Sequence, residues 1–184
     1  MGFDWLHTRY ATGKFVRKLR QDMAKELVDQ GHVASGNLLR SLKSTTKETP
    51  KKQVRGTVSG LARGERLDDY QRDHNLTIAK IMAWMELKNS GAGGTKFSFK
   101  DIKEKRRIAL AILSAAEDQG IPTRGAKKFS KNGRRVGWIT LPYMRNISYV
   151  DKELIPKVIE DINYNFIKML EELVAKNPNL KLVK

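Results

Sequence analysis

Between Lys14 and Gln30 apolar residues return every four positions, at Phe15, Leu19, Met23 and Leu27, with Val16 and Val28 widening the stripe. That period predicts an amphipathic helix, and Gly31 supplies a stop. A second helical piece follows in GNLLRSLK, with Ser35 or Asn37 available as its cap. From Ser44 to Gly60 the pattern changes to β-branched alternation at Val54, Thr57 and Val58, with Pro50 as a breaker. It predicts one strand or the two arms of a hairpin. Helical spacing returns over Leu76–Leu87, with Ile78, Ile81, Met82 and Met85 on one side. After the loop NSGAGGT, Ser98 can cap a helix that turns Ile102, Ala109, Ile112, Leu113 and Ala116 inward and ends at Gly120. Ile121–Pro142 is rich in Gly and Arg, finishes in the strand-like VGWITL and predicts an extended loop or hairpin. The longest helix starts after Ser148 and carries Leu154, Ile155, Val158, Ile162, Phe166, Met169, Leu170 and Leu173 toward Pro178. Pro156 lies in its first turns, where a missing amide costs little. The expected class is α+β, with amphipathic helices on a small antiparallel sheet, a long C-terminal helix and an extended basic loop or hairpin.

A chain of 184 residues, 40% hydrophobic, can bury an ordinary core, so wholesale disorder is excluded. Charge changes the picture more. Lys and Arg number 36 against 20 Asp and Glu, a formal +16, which implies anionic surroundings. The excess is uneven. Residues 148–184 hold six Lys and six acids, so all of it lies in residues 1–147. Gly120–Ile147 has Arg124, Lys127, Lys128, Lys131, Arg134, Arg135 and Arg145 and no acid; Arg40–Arg66 has eight basic residues against Glu48 and Glu65. A solvated face normally mixes both signs, so the acid-free stretch is the stronger candidate for a working surface. No apolar run approaches the roughly 18–20 residues that span a bilayer. The amino end, MGFDWLHTRY, has no apolar signal core, so a cytosolic protein is expected.

Candidate chemistry is sparse. There is no cysteine, which removes disulfides, thiolate metal sites and a Cys nucleophile, and His7, His32 and His74 are far apart. Thr95 and Lys96 follow Gly94 in the wrong order for a phosphate-binding loop. Ser35-Gly36 lacks the strand–turn–helix setting of a nucleophile elbow. Asp68, Asp69, Asp73 and His74 form the one cluster able to hold a divalent cation for phosphodiester cleavage, but no second element contributes carboxylates. The cluster reads instead as a polar loop capping the next helix. Phe129, Trp138 and Tyr143 sit among basic residues, as stacking platforms would, yet Trp138 beside a strand reads more simply as a core anchor. No enzyme and no cofactor is expected. The charge suits backbone contact with phosphates or docking on an acidic partner, without base reading.

In order along the chain, these segments resemble a family of small neck and tail-completion proteins of tailed bacteriophages. A phrase like "SGNLxRSL" is present as Ser35, Gly36, Asn37, Leu38, Leu39, Arg40, Ser41 and Leu42, and "IxxWxxxK" as Ile81–Lys88 around Trp84. The alanine-rich helix ending in Gly-Ile-Pro is Arg107–Pro122, closing on Gly120, Ile121 and Pro122. The similarity runs from about Lys14 to Leu173. The family's "Tyr-Ala … Glu-x-Gly" strand is missing, with Asp69-Tyr70 the nearest remnant, and the insertion TRGAKKFSKNGRR is unusually charged. The resemblance implies an amino-terminal arm at 1–13, a single domain at 14–176 with its basic loop at 120–147, and a tail at 177–184. It further implies a structural virion protein in a ring between portal and tail, assembled in the bacterial host cytoplasm and lining or sealing the DNA exit channel. Its partners would be copies of itself, the portal, adaptor or tail proteins, and non-specifically the genomic duplex, with no membrane. The basic loop, Arg124, Lys127, Lys128, Lys131, Arg134 and Arg135, would face DNA or an acidic neighbour. The alternative reading is a basic nucleic-acid-binding protein of the cytosol outside any virion.

Overall fold

The computed structural model describes residues 3–32, 36–68, 75–90, 97–120 and 130–177. It is mainly helical, with one two-stranded antiparallel ribbon and a long C-terminal helix, an α+β architecture. The helices are α1 (Leu6–Asp29), α2 (Asn37–Ser41), α3 (Ile78–Ser90), α4 (Ile102–Gln119), α5 (Thr140–Asn146) and α6 (Ile155–Lys176). The strands are β1 (Lys43–Glu48) and β2 (Val54–Ser59); a 3-10 turn covers Ala62–Leu67 and a π turn Val150–Leu154. Contacts gather the chain into two compact units. One takes α1 as far as Lys18, Ser44–Thr57 and the chain from Asn146 onward; the other takes Leu19–Lys43 and Val58–Arg145.

In the first unit, α1 begins at Leu6, so most of the expected amino-terminal arm is helix. Its buried stripe continues upstream as Thr8, Ala11, Thr12 and Val16, in which two threonines hide the apolar period. Asp161 of α6 caps the first turn of α1, accepting from the His7 amide at 3.1 Å and the Thr8 amide at 2.7 Å. One turn on, Asn165 accepts from the Asp4 amide at 2.8 Å and donates to the Asp4 carbonyl at 2.7 Å. These two polar side chains are the buried residues of α6. The apolar residues expected to bury that helix are largely outside: Ile155, Ile162, Phe166, Met169 and Leu173 are each 45% exposed or more. The π turn precedes Pro156, widening the helix where proline withholds an amide and crowds the carbonyl four residues back.

The hairpin reading of Ser44–Gly60 holds in its two-armed form. Pro50 opens a tight turn in which the Lys52 amide bonds the Thr49 carbonyl at 2.9 Å, and Lys52 takes a left-handed φ of 57°. A Cβ on Gly56 would lie 2.7 Å from both Thr12 Cγ2 and Val16 Cγ1, so its absence lets the ribbon lie directly on α1.

In the second unit, α3 and α4 close on Ile81, Met85 and Ala109, with Trp84 edge-on to Phe97 at 5.2 Å. Ile78 and Met82 flank this core as expected; Ile102 does not, being 65% exposed. The cap of α4 is Asp101, not Ser98: Asp101 Oδ1 accepts from the Glu104 amide at 2.7 Å and Glu104 reaches back to the Lys100 amide. Gly120, at φ 80°, ends the helix as expected. Buried Lys105 is paired with Glu86 across the two helices. On α1, Leu19, Met23 and Leu27 are buried while Val28 is exposed. The residue preceding α2 is Gly36 at φ 71°, without a side-chain cap; Asn37 starts the helix and accepts from Arg40, and Ser35 lies outside the described residues. Leu38 and Leu42 are buried and Leu39 half-buried.

The strand expected in VGWITL is instead a turn leading into α5. Asp68 decides this. Its carboxylate accepts from the Ile139 amide at 2.6 Å, the Thr140 amide at 3.2 Å and the Thr140 hydroxyl, and its carbonyl takes the Gly137 amide at 2.7 Å. These donors are the free amides of a helix start, which a carboxylate satisfies from any distance in sequence.

Candidate functional site

The basic segment is fastened to the carboxyl end of α1. That end closes on Gly31 at φ 68°, with the His32 amide reaching the Leu27 carbonyl at 2.9 Å. Three further donors arrive from elsewhere in the unit. The Lys131 amide bonds the Asp29 carbonyl at 2.7 Å, Arg135 Nη1 bonds the Gln30 carbonyl, and Lys88 Nζ bonds the Gly31 carbonyl at 2.7 Å. Cations at a helix carboxyl end meet both the unpaired carbonyls and the negative pole of the helix.

Beneath these caps lies a buried polar knot. Glu26 accepts from Gln30 Nε2 at 3.0 Å, Asn132 Nδ2 at 2.7 Å and Arg145 Nη1 at 3.1 Å. Burial pushes its carboxyl up, but the three donors and the Arg145 charge outweigh burial and hold it below the usual carboxylate value. Gln30 Nε2 also donates to the Val136 carbonyl at 2.8 Å. His32 Nε2 stands 2.8 Å from the Arg135 carbonyl and 3.1 Å from Gln30 Oε1. A carbonyl can only accept, so Nε2 carries the proton. Burial first, then the Arg135 and Lys88 charges, push the His32 pKa down to about 4, against a weaker pull from the Arg135 carbonyl. The imidazole is therefore neutral at pH 7. Burial also lowers Arg135 and, with the Arg135 charge, Lys88.

The far side of the segment is held by the 3-10 turn. Trp138 is 3% exposed and donates from Nε1 to the Gly64 carbonyl at 2.8 Å, which makes it a core anchor as read from the sequence. A Cβ on Gly64 would meet Trp138 Cζ2 at 2.8 Å and Leu38 Cδ1 at 2.9 Å, so Leu38 also belongs to this joint. Ser41 accepts from the Leu61 amide at 3.0 Å, and Leu42 packs at Gly60.

Of the six basic candidates, Lys131 and Arg134 are exposed on the braced segment. Arg135 does not project; its guanidinium turns inward as a helix cap. Arg124, Lys127, Lys128, Ile121, Pro122 and Phe129 lie outside the described residues, as do Asp69, Asp73, His74 and the Gly91–Lys96 loop. Asp68 is joined to α5, not to the next helix in sequence. No group of three or more His, Asp or Glu is placed to hold a metal ion among the described residues. Trp84 and Lys88 of "IxxWxxxK" do separate work, one in the α3–α4 core and one capping α1.

A second feature was not read from the sequence. In the first unit a groove of about 410 Å³ opens between α1 and β1, lined by Leu6, Arg9, Tyr10 and Arg17 of the helix and by Ser44 and Thr46 of the strand. Arg9, Gly13 and Arg17 are four apart and share one helix face. That spacing is visible in the sequence, but only once residues 6–13 are known to be helical.

Comparison with protein-family models, curated proteins and solved structures yields no match for this chain. No described helix is long and apolar enough to cross a membrane.

Proposed function

We propose that this chain is a structural virion protein of a tailed bacteriophage, a ring component of the neck between portal and tail that borders the DNA channel. One observation carries the reading beyond the ordered phrases in the sequence. Buried Glu26 and half-buried His32 and Arg135 hold residues 131–136 against the carboxyl end of α1, an end that Lys88 also caps, with Lys131 and Arg134 left outward. A rigid positive projection suits a wall facing duplex DNA, which carries about one negative charge per 1.7 Å of axis.

Mass spectrometry of purified tailed particles from the host that encodes the chain tests this directly. The expected count is about half or one copy per portal subunit, as closed rings of six or twelve require. Absence from particles overturns the proposal and leaves the free nucleic-acid-binding protein, which predicts tight, salt-sensitive duplex binding by the isolated chain. Charge reversal refines the test. Lys131→Glu with Arg134→Glu is expected to impair DNA retention or assembly with folding intact; normal particles from that variant remove the basic segment from the function.

A further inference from the structure

We infer that the outer face of α6 is an interface between two copies of this chain. Ile155, Ile159, Ile162, Phe166, Met169 and Leu173 are spaced by alternating steps of four and three, the heptad seam of a coiled coil. All six are between 45% and 53% exposed. Six half-exposed large side chains in one row leave on the order of a few hundred Å² of contiguous apolar surface. A soluble monomer's largest patch is about 300–600 Å², and a standard interface takes about 800 Å² from each partner. The seam thus supplies the apolar centre of one such interface, and polar neighbours such as Asn163 and Glu172 supply a rim.

The helix is not inverted by accident of packing. Its Asp161 and Asn165 row is held by the start of α1 through four hydrogen bonds, and the heptad row, one residue further round the helix at Ile162 and Phe166, is left facing outward. Charge selects the occupant. α6 has three Lys against four acids in a chain of +16, so it lacks the positive field that a nucleic acid needs. It is also where two such cationic chains meet with least repulsion, and a heptad row is complementary to itself. The inference stands on this helix alone and does not depend on the virion reading.

Sedimentation velocity of the full chain across the micromolar range is the test. The expected result is reversible self-association, weakened by about tenfold or more in Ile159→Glu with Phe166→Glu, the loss of one hot-spot residue or greater. Unchanged helical circular dichroism confirms that these exposed substitutions leave the fold alone. Because the chain has no cysteine, Ile162→Cys and Phe166→Cys each add a single thiol. A disulfide-linked dimer of one variant, or between the two, places the seams face to face. A chain monomeric at every concentration, association that the Glu substitutions leave intact, or a monomer that instead binds phosphatidylcholine vesicles each overturns the inference.

Discussion

His32 shows how a residue's surroundings set its charge. With an unfolded value near 6.5 and a folded value of about 4, the unfolded chain binds the extra proton first as pH falls. Stability is therefore full above pH 6.5 and declines from there to about 4, by roughly 2–3 kcal/mol. Glu26, held below its ordinary 4.5, adds a second loss further into acid as it is protonated. Urea unfolding followed by tryptophan fluorescence at several pH values checks both windows, and His32→Gln is expected to flatten the first alone. Gly64 is the other residue-scale case. Gly64→Ala forces a methyl against Trp138 and Leu38 and is expected to cost about 1–3 kcal/mol in the same assay. Nothing in the phrase LARGERL marks that glycine as a contact; its meaning lies in the indole that reaches it from residue 138.

At the scale of elements, three helix ends are finished by side chains far away in sequence: Asp161 starts α1, Arg135 and Lys88 end it, and Asp68 starts α5. Asp161→Ala is expected to cost about 1–2 kcal/mol and to fray the first turns of α1, read as faster amide exchange at Thr8. Asp68→Ala is expected to cost a similar amount, about 1–2 kcal/mol, while Asp68→Asn keeps an acceptor and loses less. Amide exchange in α5 separates the two variants. The helices themselves were legible wherever an apolar period ran unbroken, as in Ile78–Met85. Boundaries failed where two local choices were equally good: Ser98 and Asp101 each stand three residues before an acid, and only the folded chain used the second. VGWITL failed for another reason, since its β-branched residues favour a strand until Asp68 captures the two amides at the start of α5.

For the whole molecule, the separation of charge from apolar surface makes its associations respond oppositely to salt. Raising salt is expected to weaken any duplex binding steeply, by about 0.9 of a log unit per phosphate contact for each tenfold in salt. Self-association through α6 is expected to persist or strengthen over the same range, because apolar burial is not screened. Titration at low and high salt, by fluorescence anisotropy with duplex and by sedimentation without it, compares the two in one protein.

The amino-acid sequence by itself determined most of the helical framework other than α5, a strand or hairpin around Pro50, the core membership of Trp138, and the confinement of the excess positive charge to residues 1–147. Those follow from period, turn chemistry and counting, which act over a few residues at a time. Tertiary structure alone decided that Arg135 is a cap while Lys131 and Arg134 stay outside, that Asp68 serves α5, and that α6 buries its polar row and shows its apolar one. Each turns on which unpaired backbone groups of a distant helix end a side chain can reach. An unsatisfied buried amide or carbonyl costs as much as a large apolar contact returns, so the polar partner can win the interior and turn the apolar face outward.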